Sequence, residues 1–252
     1  MSDWRGHDMI ATKTALVTGA DRGFGLYMVR GLAEAGYRVY AGRVLPDYTL
    51  LDRLAETDPN VVPVWLDVSE EKDIEELRDR IARESGRLDI LVSNAAHMGG
   101  DNPSELGGTR PIDFAMLEKD FCTNSMAAPV LTDRMLALLE KGEDRLLFYT
   151  SSEISSLRLM TRVGAMRYAQ TKTALNLGVR MLFNELRPRG YRFRLYQPGG
   201  MKRMLPDGTL DQSRGSVDPM DSAAEALRQI LTERMDEDRL ALIDYHGREL
   251  SF

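Results

Sequence analysis

The stretch Thr14–Gly36, TALVTGADRGFGLYMVRGLAEAG, decides the fold. TALVT (14–18) is a continuous apolar run of strand length. GLYMVRGLAEAG (25–36) has helical periodicity and stops at Gly36. The turn between them, TGADRGFG, carries Gly19, Gly23 and Gly25. A tight strand-to-helix turn needs glycine where the backbone visits positive φ and must approach a ligand closely. The helix behind it offers unpaired N–H groups and a positive dipole end to a pyrophosphate. Three glycines at this spacing are weak evidence alone, since a glycine-rich loop need hold nothing. Their place at the first strand-to-helix junction favours a dinucleotide.

Working outward, short apolar runs alternate with helix-length segments. Strands are expected at YRVYA (37–41), VVPVWLDV (61–68), LDILVSN (88–94), RLLFYT (145–150), YRFRLYQ (191–197) and LALIDY (240–245). Helices are expected at 49–57, at 69–86 with Ser69 as cap and acids in the first turn, at 167–187 and at 221–233. One long helix over 113–142, bent near Pro129, completes the set. This alternation predicts a doubly wound α/β fold in a single domain over 1–252, a parallel sheet with helices on both faces. A ligand then belongs at the carboxyl ends of the strands. Residues 99–112 and 200–220 lack periodicity and follow strands at that edge, so they are candidate substrate loops.

The bulk properties narrow the function. The 252 residues suit one core. A net charge of −6, with 27 Arg and 6 Lys scattered along the chain, argues against a nucleic-acid partner. Cys122 is the single cysteine, so no internal disulfide is available and a reducing compartment is expected. The N-terminus MSDWRGHDMI is too polar for a secretory signal, and no apolar run approaches the ~20 residues a membrane span needs. A cytoplasmic protein with no membrane partner is the expectation. Three unclustered histidines make no metal site.

The chemistry is sought in RYAQTKTALN (167–176). Tyr168 and Lys172 lie one turn apart on one helix face. Free Tyr, with a pKa near 10, is a poor acid or base at neutrality, and a neighbouring cation is expected to lower that value. The pair then suits proton donation to a carbonyl oxygen as hydride arrives. A hydroxyl should stand opposite to hold that oxygen, and Ser151, Ser152, Ser155 and Ser156 are the candidates.

The G-x-x-x-G-x-G turn together with Tyr-x-x-x-Lys resembles the short-chain dehydrogenase/reductase family along essentially the whole chain. LDV (66–68), SNAA (93–96), Asn124, TSS (150–152), YAQTK (168–172) and PGG (198–200) fall in the family's order. The ending LIDYHGREL is similar to the carbonyl-reductase, C-factor and sniffer-like branch. The resemblance implies an enzyme interconverting a carbonyl and an alcohol by hydride transfer, with Tyr168 as general acid/base. It implies that Lys172 also grips the nicotinamide ribose and that Asn124 bonds a relay water leading to that lysine. It favours Ser152 at the strand end over Ser155, although Ser155 fits the commonest Ser-to-Tyr spacing. It places Gly19, Asp21, Arg22, Gly23, Phe24, Gly25, Asp67, Val68, Asn94, Ala95, Pro198 and Gly199 against the cofactor, with Asp67 and Val68 flanking the adenine. Homo-oligomers, dimers or tetramers, are known in the family.

The second strand, YRVYAGRV, meets no acid before Asp47, whereas folds preferring NAD place an acid on the ribose 2′-OH. Arg43 and Arg22 instead suit a 2′-phosphate, since guanidinium forks onto phosphate. NADP(H) is expected, with NAD(H) the alternative. Two departures stand out: Ala96 replaces the family's glycine, and no Thr follows Pro198–Gly199 until Thr209. Met98, Met160, Met166, Met201 and Met204 are expected either near an adaptable apolar mouth or as core filler, since the chain has 14 Met. Glu153 and His97 sit beside the active-site segments, Glu153 as a solvated acid or a partner for a substrate hydroxyl or amine. A non-catalytic NADP-binding sensor on the same fold is the alternative function, and an epimerase or dehydratase a third.

Overall fold

The structure, a computed structural model, describes residues 12–98, 111–213, 215–232 and 235–252. The elements run β1 (Thr14–Val17), α1 (Gly23–Glu34), β2 (Arg38–Arg43), α2 (Leu50–Thr57), β3 (Val61–Trp65), α3 (Glu71–Glu84) and β4 (Ile90–Ser93). Then come α4 (Phe114–Phe121), α5 (Ala127–Leu139), β5 (Leu146–Thr150), α6 (Met166–Leu186) and β6 (Arg192–Gln197). The chain closes with β7 (Arg203–Met204), β8 (Leu210–Asp211), α7 (Pro219–Leu231), β9 (Leu242–Asp244) and β10 (Glu249–Leu250).

Eight strands form one sheet in the order β10-β9-β6-β5-β4-β1-β2-β3, parallel except for β10. The order reverses between β1 and β4, so a crevice opens where their carboxyl ends diverge. Alternation along the strands feeds two cores. Leu16, Leu147 and Tyr149 pack on one face with Ile81, Leu131, Val179 and Phe183 of α3, α5 and α6. Ala15, Val17, Leu146 and Phe148 pack on the other with Met28, Leu32, Ala226 and Ile230 of α1 and α7. A sheet buried on both faces explains why its strands read as unbroken apolar runs. Pro63 is tolerated in β3 because that strand is the sheet's edge. Among the described residues no helix is long and apolar enough to cross a membrane.

Three expectations need correction. The helix over 113–142 is broken, but not at Pro129. A π-helical turn, Cys122–Met126, separates α4 from α5 and closes with Ala127 N–H on the Cys122 carbonyl. Pro129 falls in the first turn of α5, where a missing N–H costs little. Ser69 does not cap α3, which begins at Glu71; its N–H and hydroxyl instead donate to Asp67 Oδ1 at 3.0 and 2.6 Å. Residues 200–217 are not shapeless. They form a strap whose base is pinned by Ser216 and Val217 N–H donating to the Gly200 carbonyl, with β7 and β8 as its antiparallel tip. Of the other candidate substrate loop, 99–112, residues 99–110 lie outside the described residues.

Candidate active site

The glycine turn is shaped by close backbone approach. Gly19 and Gly23 sit at φ +63° and +56°, where L side chains are strained. A Cβ on Gly25 would stand 2.1 Å from the Gly19 carbonyl oxygen, so no other residue closes this turn. Thr18 and Asn94 stitch the turn to the neighbouring strand ends. Asn94 N–H and Ala95 N–H both donate to Thr18 Oγ1 at 2.9 Å. Asn94 Nδ2 donates to the Thr18 and Gly19 carbonyls at 2.9 and 3.1 Å, and Thr150 Oγ1 donates to Asn94 Oδ1 at 3.3 Å. The Asn94 side chain therefore holds β1, β4 and β5 in register, and Ala95 lies against Gly19. Ala96 is exposed, so its extra methyl meets no crowding.

Beside the turn, the expected ribose groups are arranged with partners. Arg22 donates to the Tyr48 hydroxyl at 2.5 Å, stacks over the Tyr48 ring and reaches the Met204 carbonyl at 3.4 Å. Arg43 donates to Asp52 Oδ2 at 2.5 Å. Asp21 Oδ1 accepts from Val44 and Leu45 N–H at 2.9 and 2.6 Å and so shapes the loop that follows Arg43 at the end of β2. Asp67 is occupied by Ser69, while Val68 and Phe24 are buried in the two cores. Met204 is buried rather than lining a mouth, with Gly23 N–H aimed at its Sδ at 3.3 Å. Gly199, at φ +83°, lets the chain pass close to Val217 and Tyr245, and Pro198 precedes it at the start of the strap.

Tyr168 and Lys172 project from the first turns of α6 beneath the end of β5. Ser152 stands beside the Tyr168 hydroxyl, with its own Oγ accepting from Ile154 N–H at 3.3 Å. Burial pushes the Tyr168 hydroxyl up to about 12, and the nearby Ser152 only partly offsets this. The expectation that Lys172 lowers this value is not met in the ligand-free protein. Lys172 is buried, its Nζ donates to the Thr150 carbonyl at 2.8 Å, and it lies 5.7 Å from the Tyr168 ring centroid. Desolvation brings its ammonium down to about 8. Loss of water around the pair outweighs their mutual attraction.

The serines separate by role. Ser155 is buried, its Oγ donating to the Ser152 carbonyl at 2.5 Å and accepting from Asn176 Nδ2 at 2.7 Å. Ser151 donates to Asn176 Oδ1 at 2.6 Å, and Ser156 accepts from Leu159 N–H. Of the four, Ser152 is the one placed beside the Tyr168 hydroxyl. Glu153 pairs with exposed Arg162. Met160 lines an apolar cavity of about 410 Å³ with Ser156, Leu157, Ala169 and Leu177, and Ser152, Tyr168 and Lys172 are not among its lining residues.

Asn124 sits in the π turn, buried, and its side chain is committed. Oδ1 accepts from His97 N–H at 2.6 Å, and Nδ2 donates to the His97 carbonyl at 2.7 Å and Thr171 Oγ1 at 3.3 Å. A relay water is therefore left to its backbone. Sequence reasoning missed what surrounds it. Asp120 is fully buried, with Oδ1 2.6 Å from His97 Nδ1 and Oδ2 3.0 Å from Arg167. The available signal was Asp120 four residues before Asn124, on the same face of a helix turned toward the core.

The comparisons with known proteins agree with this layout. The family model described as short chain dehydrogenase matches residues 13–209. The C-signal protein of Myxococcus xanthus is 28% identical over 173 residues, spanning 66% of this chain and 93% of its own. Among solved structures, the carbonyl reductase Sniffer of D. melanogaster superposes with a TM-score of 0.82 at 20% identity, over 96% of this chain and 100% of that one. The NADPH-bound carbonyl reductase from chicken fatty liver gives 0.79 at 24% identity, with the same coverage. The structural likenesses speak for the fold, and the family model spans more than half of the sequence, including the glycine turn and the Tyr168–Lys172 pair. On that ground the chain belongs to the short chain dehydrogenase family of oxidoreductases.

Proposed function

We propose that this protein is an NADP(H)-dependent oxidoreductase that interconverts a ketone or aldehyde and its alcohol, with Tyr168 as general acid/base. The observation that carries it is the meeting of Ser152, Tyr168 and Lys172, with Lys172 Nζ 5.7 Å from the Tyr168 ring centroid, next to the glycine turn at the carboxyl edge of the sheet. The groove fits a dinucleotide. The turn admits no Cβ at Gly25, so its backbone can lie against a pyrophosphate, and the N-terminus of α1 faces the same space. Gly19, Arg22, Gly23, Phe24 and Ala95 would hold the diphosphate side, and Lys172 the nicotinamide ribose. Arg43 would take the 2′-phosphate. Its pairing with Asp52 is between part-exposed groups, worth at most about 1 kcal/mol, and a bidentate phosphate competes well with it.

When bound, NADPH supplies the hydride. Ser152 Oγ donates a hydrogen bond to the substrate carbonyl oxygen and fixes it near Tyr168 Oη. As negative charge develops on that oxygen, Tyr168 transfers its phenolic proton to it. Burial keeps the phenol protonated across the physiological range, and the Lys172 ammonium beside it favours release of that proton as charge develops. The Lys172 ammonium then stabilises the phenolate left behind. A non-catalytic sensor would need none of this alignment, and it is not favoured.

The test follows NADPH oxidation near 340 nm with a panel of aldehydes and ketones, for wild type and Tyr168→Phe, with nucleotide binding read by fluorescence. Tighter binding of NADPH than NADH and a turnover that needs Tyr168 are expected. Turnover in Tyr168→Phe within about tenfold of wild type, or an absence of nucleotide binding, would overturn the proposal.

A further inference from the structure

Three polar side chains, His97, Asp120 and Arg167, meet beside the proposed site, and the mechanism uses none of them. They sit on the three segments that carry the chemistry. His97 lies in the loop after β4, three residues beyond Asn94. Asp120 lies in the last turn of α4, four residues before Asn124. Arg167 directly precedes Tyr168. One buried carboxylate joins them: Oδ1 to His97 Nδ1 at 2.6 Å and Oδ2 to Arg167 at 3.0 Å. The neighbouring Asn124 grips the His97 peptide at both its N–H and its C=O and also bonds Thr171.

The first turn of α6 needs such a tether. It begins after Gly164 at φ +89° and Ala165 at φ +53°, both left-handed, and has no side-chain cap. Helix ends without capping partners fray. Tyr168 stands in that turn. The ion pair from Arg167 to Asp120 is a side-chain anchor between that turn and the core, and through His97 the same carboxylate reaches the β4 loop.

We propose that Asp120 is a positioning residue for the reaction: its carboxylate locks the first turn of α6 to the β4 loop and thereby holds Tyr168 in reach of Ser152. This rests on the reductase reading for its kinetic consequence. The anchoring itself does not.

The test uses the full chain with Asp120→Ala, Tyr168→Phe, their double variant, and Asp120→Ala/Arg167→Met, which removes both charges of the ion pair. Three readouts are taken: kcat and KM with NADPH and a carbonyl, NADPH Kd by fluorescence, and amide hydrogen exchange in residues 165–172. Asp120→Ala is expected to lower kcat by roughly 30-fold with the Kd for NADPH within about threefold of wild type. Asp120→Ala/Arg167→Met is expected to recover melting temperature but not kcat. In the Tyr168→Phe background Asp120→Ala should cost no more than about twofold, because its effect passes through Tyr168. Exchange in 165–172 should rise about tenfold while β1 and β4 stay protected. A wild-type kcat in Asp120→Ala, losses that multiply with Tyr168→Phe, or recovery of kcat in the charge-neutral double variant overturns the proposal. If the wild-type protein turns over no carbonyl, the reductase reading fails. Exchange then decides alone, and unchanged protection of 165–172 overturns the anchoring as well.

Discussion

Replacing Lys172 with Met should make the protein more stable while removing its activity. Lys172 is 2% exposed, and burial holds its ammonium at about 8 instead of 10.5. At ~1.4 kcal/mol per pKa unit, keeping that charge in the fold costs about 3 kcal/mol at pH 7. Methionine has a similar length and no charge to desolvate. It gives up the hydrogen bond to the Thr150 carbonyl, worth about 1 kcal/mol. The net gain is about 2 kcal/mol, or roughly 4–8 °C in melting temperature for a chain of this size. The sign with pH follows from proton counting. Between about pH 8 and 10.5 the unfolded lysine keeps its proton and the folded one has lost it, so wild-type stability rises with pH through that window. The cost is fully present below pH 8 and gone above 10.5. Urea or thermal unfolding of both proteins at pH 7 and at pH 10 checks this. The advantage of Lys172→Met should shrink by more than half at the higher pH. A variant less stable than wild type at pH 7, or a difference that ignores pH, refutes the claim that desolvation dominates at Lys172. The trade is the familiar one between a functional buried charge and stability.

Ser152→Ala should lower kcat by about 10²-fold with little change in melting temperature, because it removes the donor aimed at the substrate oxygen. Ser155→Ala should do the reverse: a loss of about 1–3 kcal/mol in unfolding free energy, as Asn176 Nδ2 is left without its acceptor, with kcat falling much less. Paired kinetics and denaturation on the two variants separate them. Gly25→Ala places a methyl carbon 2.1 Å from the Gly19 carbonyl, so the turn must open; nucleotide fluorescence should show NADPH binding weakened at least 10²-fold. An unchanged Kd there would show that the turn does not cradle the dinucleotide.

The sheet was legible because its signals are local. The seven long strands stand where apolar runs were expected, and the glycine turn lies at the first junction, since a two-face-buried strand leaves a continuous apolar run in the sequence. The break in the helix over 113–142 was not legible at its true place. Pro129 is the visible breaker, yet the π turn at Cys122–Met126 exists because Asn124 finds His97 and Thr171, which are distant in sequence. The β7–β8 tip was invisible for a similar reason: two-residue strands have no period to detect.

Within the site, the sequence by itself determined the residue types and their order: the three glycines, Asn94, Ser152, Tyr168 and Lys172 along one parallel sheet edge. Local spacing and strand ends suffice for that, because each motif is built within a few residues. Only the tertiary structure decided which serine faces Tyr168, that Ser155 belongs to Asn176, and that Arg22 and Arg43 rest on Tyr48 and Asp52. It also decided that burial, rather than the neighbouring charge, sets the state of Tyr168 and Lys172. Desolvation depends on how many atoms from remote elements exclude water at one point, and no window of sequence carries that sum. The meeting of His97, Asp120 and Arg167 belongs to the same class, since it joins residues up to 70 positions apart through one carboxylate.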